Sequence, residues 1–126
     1  MTAVIRAGID LVTSDRVALM LHTVGDSFLR STWTDEEIRH CQGNVDRLAA
    51  RWAAKEATIK ALHTNISDVP LTDICVTTRE GGAPQMRLSG AAELLAGALG
   101  IAEWSVSLTH DGGMAAAVVI GVMKTQ

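Results

Sequence analysis

The fold is decided by the stretch Arg51-Trp52-Ala53-Ala54-Lys55-Glu56-Ala57-Thr58-Ile59-Lys60, which lies inside a long helical pattern. Asn44 or Asp46 is placed to cap the start of this helix, and the pattern continues to about Leu62. At about 100° per residue, large apolar side chains form one stripe and alanines cover much of the remaining surface. We therefore predict that the helix is largely buried and that neighbouring elements approach it closely.

The residues before this helix predict a strand and two shorter helices. Val4 to Val12 alternates as a strand does, and the face opposite its main apolar face carries Asp10 near the C-terminal end. The apolar face consists of Ile5, Ala7, Ile9 and Leu11. Thr13 or Ser14 can cap a helix that runs to about His22, and Thr34-Asp35-Glu36-Glu37 has the spacing of a capping box for a helix ending near Cys41.

The residues after the helix predict two hairpins separated by a helix. The predicted strands are 73–79, 85–88, 103–109 and 114–122, and Ser89 is placed to cap a helix that stops at Gly100. The order of elements shows no βαβ rhythm, which favours an antiparallel sheet packed on helices. We predict an α+β fold in which residues 1–126 form a single domain.

Composition excludes several classes of protein. The net charge of −3 argues against non-specific nucleic-acid binding, which needs a basic surface. No apolar run reaches the roughly 18 residues expected of a membrane span, and the N-terminus lacks a signal-peptide layout. Cys41 and Cys75 are isolated, without the spacing of a zinc site. We expect both to be reduced thiols in a cytoplasmic protein that binds neither nucleic acid nor membrane.

Two acidic residues, Asp10 and Glu56, are 46 positions apart, so only the fold can bring them together. From the residues alone, Asp10 is better explained as a strand-end cap or an ion-pair partner than as a ligand. Glu56 is explained as half of an i,i+4 pair with Lys60, worth about 0.2–0.5 kcal/mol.

Three segments in this order resemble the signature of the 4′-phosphopantetheinyl transferases, and most closely their short class, the holo-acyl-carrier-protein synthases. They are Gly8-Ile9-Asp10, the run from Arg51 to Lys60, and Val106-Ser107-Leu108-Thr109-His110. The resemblance extends from about Ala7 to about Val119. It implies the phosphopantetheinyl transferase fold, with an antiparallel sheet around the alanine-rich helix, and a homotrimer whose sites lie between subunits.

The resemblance also implies an activity and the residues at its centre. The 4′-phosphopantetheine arm of coenzyme A is transferred to a serine of an apo-acyl carrier protein, which releases adenosine 3′,5′-bisphosphate. Asp10 and Glu56 are implied as ligands of Mg²⁺, with Mn²⁺ as an alternative, and Glu56 and Lys60 as the catalytic pair. Lys60 is implied to contact the phosphate under attack. A water bound to the metal or oriented by Glu56 is the expected acceptor of the serine proton.

The remaining implied roles concern coenzyme and carrier binding. Arg51 occupies the place of the basic residue before the aromatic in the family's RFAAKEA-like run, and it is implied, with His110, to contact the 3′-phosphate end of coenzyme A. A general-base role for His110 is the alternative. Gly82 and Pro84 match a Gly-x-Pro turn near the bound coenzyme. Arg16 matches an arginine that meets the acidic recognition helix of the carrier protein.

One segment departs from the family pattern. Members of the family commonly have a Leu-Gly-Thr-Gly-like turn after the main helix, where this chain has Leu62-His63-Thr64-Asn65. We expect Asn65 to supply the left-handed conformation that glycine provides. His63 either adds a donor to the pocket or narrows it.

Two other functions remain open at this stage. The chain could be a non-catalytic trimeric module that keeps the fold and binds carrier protein, although Asp10, Glu56 and Lys60 are all present. It could also be a different coenzyme A-dependent transferase, which would add an acyl group instead of the whole arm. Whether the carrier belongs to fatty-acid or polyketide synthesis is not decided by the sequence.

Overall fold

The computed structural model describes residues 4–124, which form five α-helices, one short 3-10 helix (Leu71–Asp73) and five strands. The helices are α1 (Ser14–Thr23), α2 (Asp26–Thr32), α3 (Asp35–Cys41), α4 (Val45–Ala61) and α5 (Gly90–Ala98). The strands are β1 (Val4–Thr13), β2 (Ile74–Thr78), β3 (Pro84–Leu88), β4 (Ile101–Asp111) and β5 (Met114–Met123). No helix within residues 4–124 is both long enough and apolar enough to cross a membrane.

All strand pairs are antiparallel, as predicted, and they are divided between two sheets. The larger sheet has the order β1-β5-β4, and the smaller one pairs β2 with β3. Asp10 lies opposite Ala117 in the larger sheet, and His110 lies opposite Ala115. The α+β class is confirmed, and the helix α4 packs across the inner face of the larger sheet.

Helix α4 is buried along most of its 17 residues, which confirms the interpretation of its alanine pattern. The Asn44 side chain caps it by accepting a hydrogen bond from the Arg47 amide. Strand β1 approaches α4 so closely that a Cβ added to Gly8 would lie 1.8 Å from the Ala57 carbonyl oxygen. Only glycine fits at this crossing, and it places Asp10 against the helix two residues later.

An ion pair inside the core joins α4 to α3 and β2. Lys55 and Glu37 both have side chains with 0% exposure, and the Lys55 Nζ lies 2.6 Å from Glu37 Oε1. Lys55 also donates to the carbonyl oxygens of Leu71 and Ile74. Glu37 accepts hydrogen bonds from the amides of Thr34 and Val76, both at 2.8 Å. The pair is thus fully hydrogen-bonded, and its burial was not predicted from the sequence.

The outer face of the larger sheet is apolar and exposed. Its β1 side chains are 62% exposed at Ile5, 67% at Ile9 and 59% at Leu11, and Val118 of β5 is 38% exposed beside Ile9. We call these four residues the apolar sheet face. The alternation of β1 is as predicted, but its main apolar face points away from the core of the chain.

Two local features differ from the sequence-based expectation. Helix α2 was not predicted, because seven residues are too few to display a helical period. Ser89 precedes α5 but makes no side-chain cap hydrogen bond. The backbone amides of Ala91 and Ala92 instead donate hydrogen bonds to Asp73 Oδ2, at 2.9 and 3.4 Å. A capping carboxylate from a distant segment leaves no local signal in the sequence.

The turn after α4 is formed differently from the expectation for Asn65. The left-handed residue is His63, with a φ of 54°, because it directly follows the last helical turn. Asn65 does not take a positive φ; its side-chain oxygen accepts a hydrogen bond from the Ser67 amide at 3.1 Å. The His63 ring accepts a hydrogen bond at Nδ1 from the Arg6 guanidinium, 2.5 Å away. His63, at the position of the family's first glycine, therefore supplies the left-handed conformation in this chain.

Replacing His63 with glycine is expected to raise the free energy of unfolding by about 0.5–1 kcal/mol. A side chain in the left-handed region is strained, and glycine removes that strain, offset by the greater entropy of the unfolded chain. The midpoint of urea denaturation measures the change. His63→Ala is the control, since it removes the Arg6 contact but keeps the Cβ, and it should bring no gain. A glycine variant no more stable than the alanine variant would contradict the prediction.

Candidate functional site

Asp10 and Lys60 meet where β1 crosses α4. The Lys60 Nζ donates to Asp10 Oδ1 at 3.1 Å and to the Ile9 carbonyl oxygen at 2.9 Å. The Lys60 side chain is 57% exposed and that of Asp10 is 21% exposed, so the ammonium remains open to solvent. The fold therefore brings together two of the predicted site residues from segments 50 positions apart.

Glu56 belongs to the same cluster, one helical turn before Lys60. Its Oε1 accepts a hydrogen bond from Trp52 Nε1 at 3.1 Å. Burial raises the pKa of the Glu56 carboxyl, and the negative charge of Asp10 raises it further. The Trp52 hydrogen bond and the positive charges of Lys60 and Arg16 act in the opposite direction on this pKa. Two carboxylates thus repel each other across a half-buried site, an arrangement that a bound cation would relieve.

The chemistry of these side chains fits a magnesium ion. Asp10 and Glu56 offer hard oxygen ligands, and Asp10 stays partly accessible to solvent. No group of three or more His, Cys, Asp or Glu side chains suited to a metal occurs within residues 4–124. A cation held here would therefore take two protein carboxylates and fill its other positions with oxygens from outside the chain, as Mg²⁺ commonly does beside phosphates.

Arg16 extends the cluster toward α1. Its guanidinium carbon lies 5.3 Å from the centre of the Trp52 ring, at the distance of a cation–π contact. Thr13 caps α1 at this point, with its hydroxyl accepting from the Arg16 amide at 3.3 Å. The arginine implied to bind the carrier protein is therefore at cation–π distance from Trp52, the residue that donates to Glu56.

The predicted coenzyme-binding residues other than Lys60 gather in a cleft of about 660 Å³. Arg51, Gly82, Pro84 and His110 all contribute to its lining. Arg51 is 7% exposed, and its guanidinium donates to the Val76 carbonyl oxygen at 3.3 Å and to the Thr78 hydroxyl at 3.5 Å. The fold thus places His110 and the turn that contains Gly82 and Pro84 beside Arg51, the first residue of the signature run on α4.

Three further basic residues line the same cleft and were missed in the sequence. They are Arg39, His40 and Arg47. Arg47 lies one turn before Arg51 on α4, so its i,i+4 spacing was a usable signal. Arg39 and His40 lie in the last turn of α3, and basic residues there are ordinarily explained by the helix dipole. Together with Arg51 and His110 they make the cleft suited to an anionic ligand.

The cleft and the carboxylate cluster point in different directions. Arg51 and Glu56 are five residues apart on α4, which places them about 140° apart around the helix axis. The residues lining the cleft do not include Asp10, Glu56 or Lys60. A ligand that touches both groups would have to pass around the helix within one chain or bridge two chains.

Comparison with known proteins gives consistent results for sequence and structure. The sequence model of the 4′-phosphopantetheinyl transferase superfamily matches residues 6–119. The holo-[acyl-carrier-protein] synthase of Herpetosiphon aurantiacus is 41% identical over 122 residues, covering 91% of this chain and 96% of the relative. The crystal structure of the Helicobacter pylori holo-[acyl-carrier-protein] synthase in complex with coenzyme A is 30% identical with a TM-score of 0.84, covering 91% of this chain and 98% of the other. The coenzyme A complex of the Chronobacterium ammoniagenes synthase is 29% identical with a TM-score of 0.86, covering 97% and 99%.

Proposed function

Because the chain belongs to the 4′-phosphopantetheinyl transferase superfamily, we propose that it is a holo-[acyl-carrier-protein] synthase. In the proposed reaction, the hydroxyl of a carrier-protein serine attacks the phosphorus that bears the pantetheine arm of coenzyme A. The new bond joins the serine oxygen to that phosphorus, and the pyrophosphate bond breaks. The products are the holo-carrier protein and adenosine 3′,5′-bisphosphate.

One observation carries this proposal: Lys60 is hydrogen-bonded to Asp10 beside a Glu56 carboxyl whose pKa is raised by burial and by Asp10. Two carboxylates and one ammonium at an open surface suit a phosphoryl transfer assisted by a cation. Such reactions depend mainly on positioning and on neutralising the charge of the phosphoryl oxygens. A merely structural ion pair would have no need of the second, half-buried carboxylate.

In the proposed site, Asp10 and Glu56 hold Mg²⁺, which on binding supplies positive charge beside the pyrophosphate. Lys60 has the reach and exposure to donate to the phosphoryl oxygens, since its Nζ is held only by Asp10 and the Ile9 carbonyl within the described residues. Charge that develops on those oxygens in the transition state is stabilised by the ammonium. Glu56 can accept hydrogen bonds besides the one from Trp52, and in the proposed site it orients the water that takes the serine proton.

The cleft is proposed to hold the adenosine 3′-phosphate end of coenzyme A. Arg51 is fixed there by hydrogen bonds to Val76 and Thr78, so its guanidinium is oriented before the ligand arrives. Fixing a side chain in advance lowers the entropic cost of binding. Arg47 and His110 add positive charge or donors on either side, and Gly82 and Pro84 form the turn at the edge of the cleft.

We further propose that the active protein is a homotrimer with its sites between subunits. The apolar sheet face exposes large side chains that a soluble chain would bury against a partner. A neighbouring subunit would also allow one ligand to contact both groups, although Arg51 and Glu56 point in different directions. The cleft of one chain would face the carboxylates of the next. The coenzyme would then contact both, which matches the implied arrangement of the short class.

Replacing Ile9 with glutamate is expected to convert the trimer to monomers and to remove transfer activity. A charge at the centre of a buried apolar contact is strongly unfavourable. One chain has a mass of 13.4 kDa. Light scattering after size exclusion should give three times this mass for the unmodified protein and the mass of one chain for the variant. Leu94→Glu is the control, since Leu94 is 76% exposed on α5, outside the sheet. A monomeric, fully active Ile9 variant would contradict the intersubunit site.

The transferase assignment is tested with fluorescently labelled coenzyme A, Mg²⁺ and apo-carrier proteins from fatty-acid and polyketide synthesis. The expected result is labelled carrier, with a mass gain of the whole phosphopantetheine arm. A gain of an acyl group would assign the chain to a different class of coenzyme A-dependent transferase. Absence of label on every carrier, with carrier binding intact, would support the non-catalytic module and overturn the proposal.

A further inference from the structure

We propose that Trp52 is a positioning residue for the metal-binding carboxylate, and that Arg16 acts on Glu56 through the same indole ring. The inference rests on the proposed function, because it concerns how Glu56 is held ready for a cation. It is carried by two contacts: Trp52 Nε1 donates to Glu56 Oε1 at 3.1 Å, and Arg16 stacks over the Trp52 ring at 5.3 Å.

The direction of the Trp52 N–H is set by core packing. Trp52 is 9% exposed and meets Phe28 edge-on at 5.5 Å and Trp33 edge-on at 6.4 Å. Trp33 is itself anchored, since its Nε1 donates to the Leu48 carbonyl oxygen at 3.0 Å. A ring enclosed in this way has one available orientation, so its N–H is a fixed donor and not an adaptable one.

A fixed donor has a defined effect on Glu56. Glu56 has three rotatable side-chain bonds, and holding one carboxylate oxygen removes most of their freedom before a ligand binds. The other oxygen, Oε2, then remains available to a cation. Groups that orient metal ligands in this manner commonly contribute about 10- to 100-fold to metal affinity. Trp52 supplies this orientation from within the same helix, at i,i−4 to Glu56.

Arg16 connects this arrangement to the protein surface. It lies on α1 and is exposed, yet its guanidinium covers the outer side of the Trp52 ring. A carrier protein that pairs an acidic residue with Arg16 would therefore act two contacts away from the carboxylate that binds the metal. Arg16 thus has a positioning role that is separate from docking and is present without any carrier.

The test measures Mn²⁺ binding by electron paramagnetic resonance in the absence of carrier protein and coenzyme A. Trp52→Phe keeps an aromatic ring but removes the N–H together with part of the indole, so it loses the fixed donor and is expected to weaken Mn²⁺ binding about 10-fold. Arg16→Lys keeps the positive charge near Glu56 but loses the flat guanidinium that stacks on the indole, and it should weaken Mn²⁺ binding about twofold, because a cation–π contact is a weaker restraint. Trp104→Phe is the matched control and should bind Mn²⁺ as the unmodified protein does, since Trp104 lies on β4, outside the Trp52 cluster.

The outcomes separate this inference from the proposed function. If the unmodified protein binds Mn²⁺ and Trp52→Phe binds it equally well, the positioning role of Trp52 is overturned while the metal site stands. If Arg16→Lys changes only the KM for carrier protein and not Mn²⁺ affinity, Arg16 acts in docking alone and its link to Glu56 is overturned. If the unmodified protein binds no Mn²⁺, the metal site and the inference both fail.

Discussion

Replacing Glu56 with glutamine is expected to lower the rate of transfer by at least about 10²-fold while the chain stays folded. The loss follows from removing one of the two carboxylates proposed to bind Mg²⁺. An amide oxygen is a poorer ligand than a carboxylate, and it brings no negative charge to the cation. Transfer is measured with labelled coenzyme A at saturating carrier protein, over a range of Mg²⁺ concentrations.

The same substitution is expected to leave stability unchanged or to raise it slightly. Glutamine has the shape of glutamate, and its side-chain oxygen can still accept the hydrogen bond from Trp52 Nε1. Burial and the charge of Asp10 raise the pKa of Glu56, so its ionised form is less favoured here than in water. Removing that charge therefore removes an unfavourable contribution to the free energy of folding. Loss of activity combined with retained stability is the signature of a group kept for function.

Glu93→Gln provides the matched control for Glu56→Gln. It makes the same chemical change on an exposed position of another helix, α5, so it should leave both transfer and stability unaltered. Thermal unfolding in the presence and absence of Mg²⁺ adds a second measurement. Stabilisation by Mg²⁺ should be seen for the control and be lost for Glu56→Gln. A Glu56 variant with normal turnover would refute the metal-binding role.

Much of the fold was predictable because its central element has an unambiguous pattern. The alanines of α4 indicated burial and close approach, and Asn44 marked its start. The alternation of β1 placed Asp10 on the correct face. What sequence could not provide was the register between β1 and α4. That register is fixed by the contact of Gly8 with Ala57, and a glycine gives no sign of which element it meets.

The unpredicted features share a physical cause: they depend on contacts between segments that are distant in the sequence. The exposure of the apolar sheet face is an example, because alternation identifies which residues share a face but not whether another segment of the chain covers it. The basic residues Arg39 and His40 reach the cleft only through the position of α3. Lys55 is another case, since a lysine beside Glu56 would ordinarily be assigned to the surface.

Replacing Lys55 with methionine is expected to lower the free energy of unfolding by about 3–5 kcal/mol. The methionine fills a similar volume, so the loss does not come from a cavity. It arises because the Glu37 carboxyl would lose its counter-ion inside the core, where an unpaired charge is unfavourable. The carbonyl oxygens of Leu71 and Ile74 would also lose a donor. Burial lowers the pKa of the Lys55 ammonium, and the charge and hydrogen bond of Glu37 act against that shift.

The double variant Glu37→Gln/Lys55→Met distinguishes a buried charge from general damage to the core. Glu37→Gln removes the unpaired charge, and the glutamine oxygen can still accept from the Thr34 amide, while the Val76 amide loses its acceptor. The double variant should therefore recover part of the stability lost in Lys55→Met alone. Urea denaturation at one protein concentration measures all variants, and Lys124→Met, at an exposed position, serves as the control. If the second substitution adds to the loss instead of recovering part of it, the ion pair is not the source of the effect. In that case the hydrogen bonds that connect Glu37 to Thr34 and Val76 would carry the stability of the junction between α3, α4 and β2.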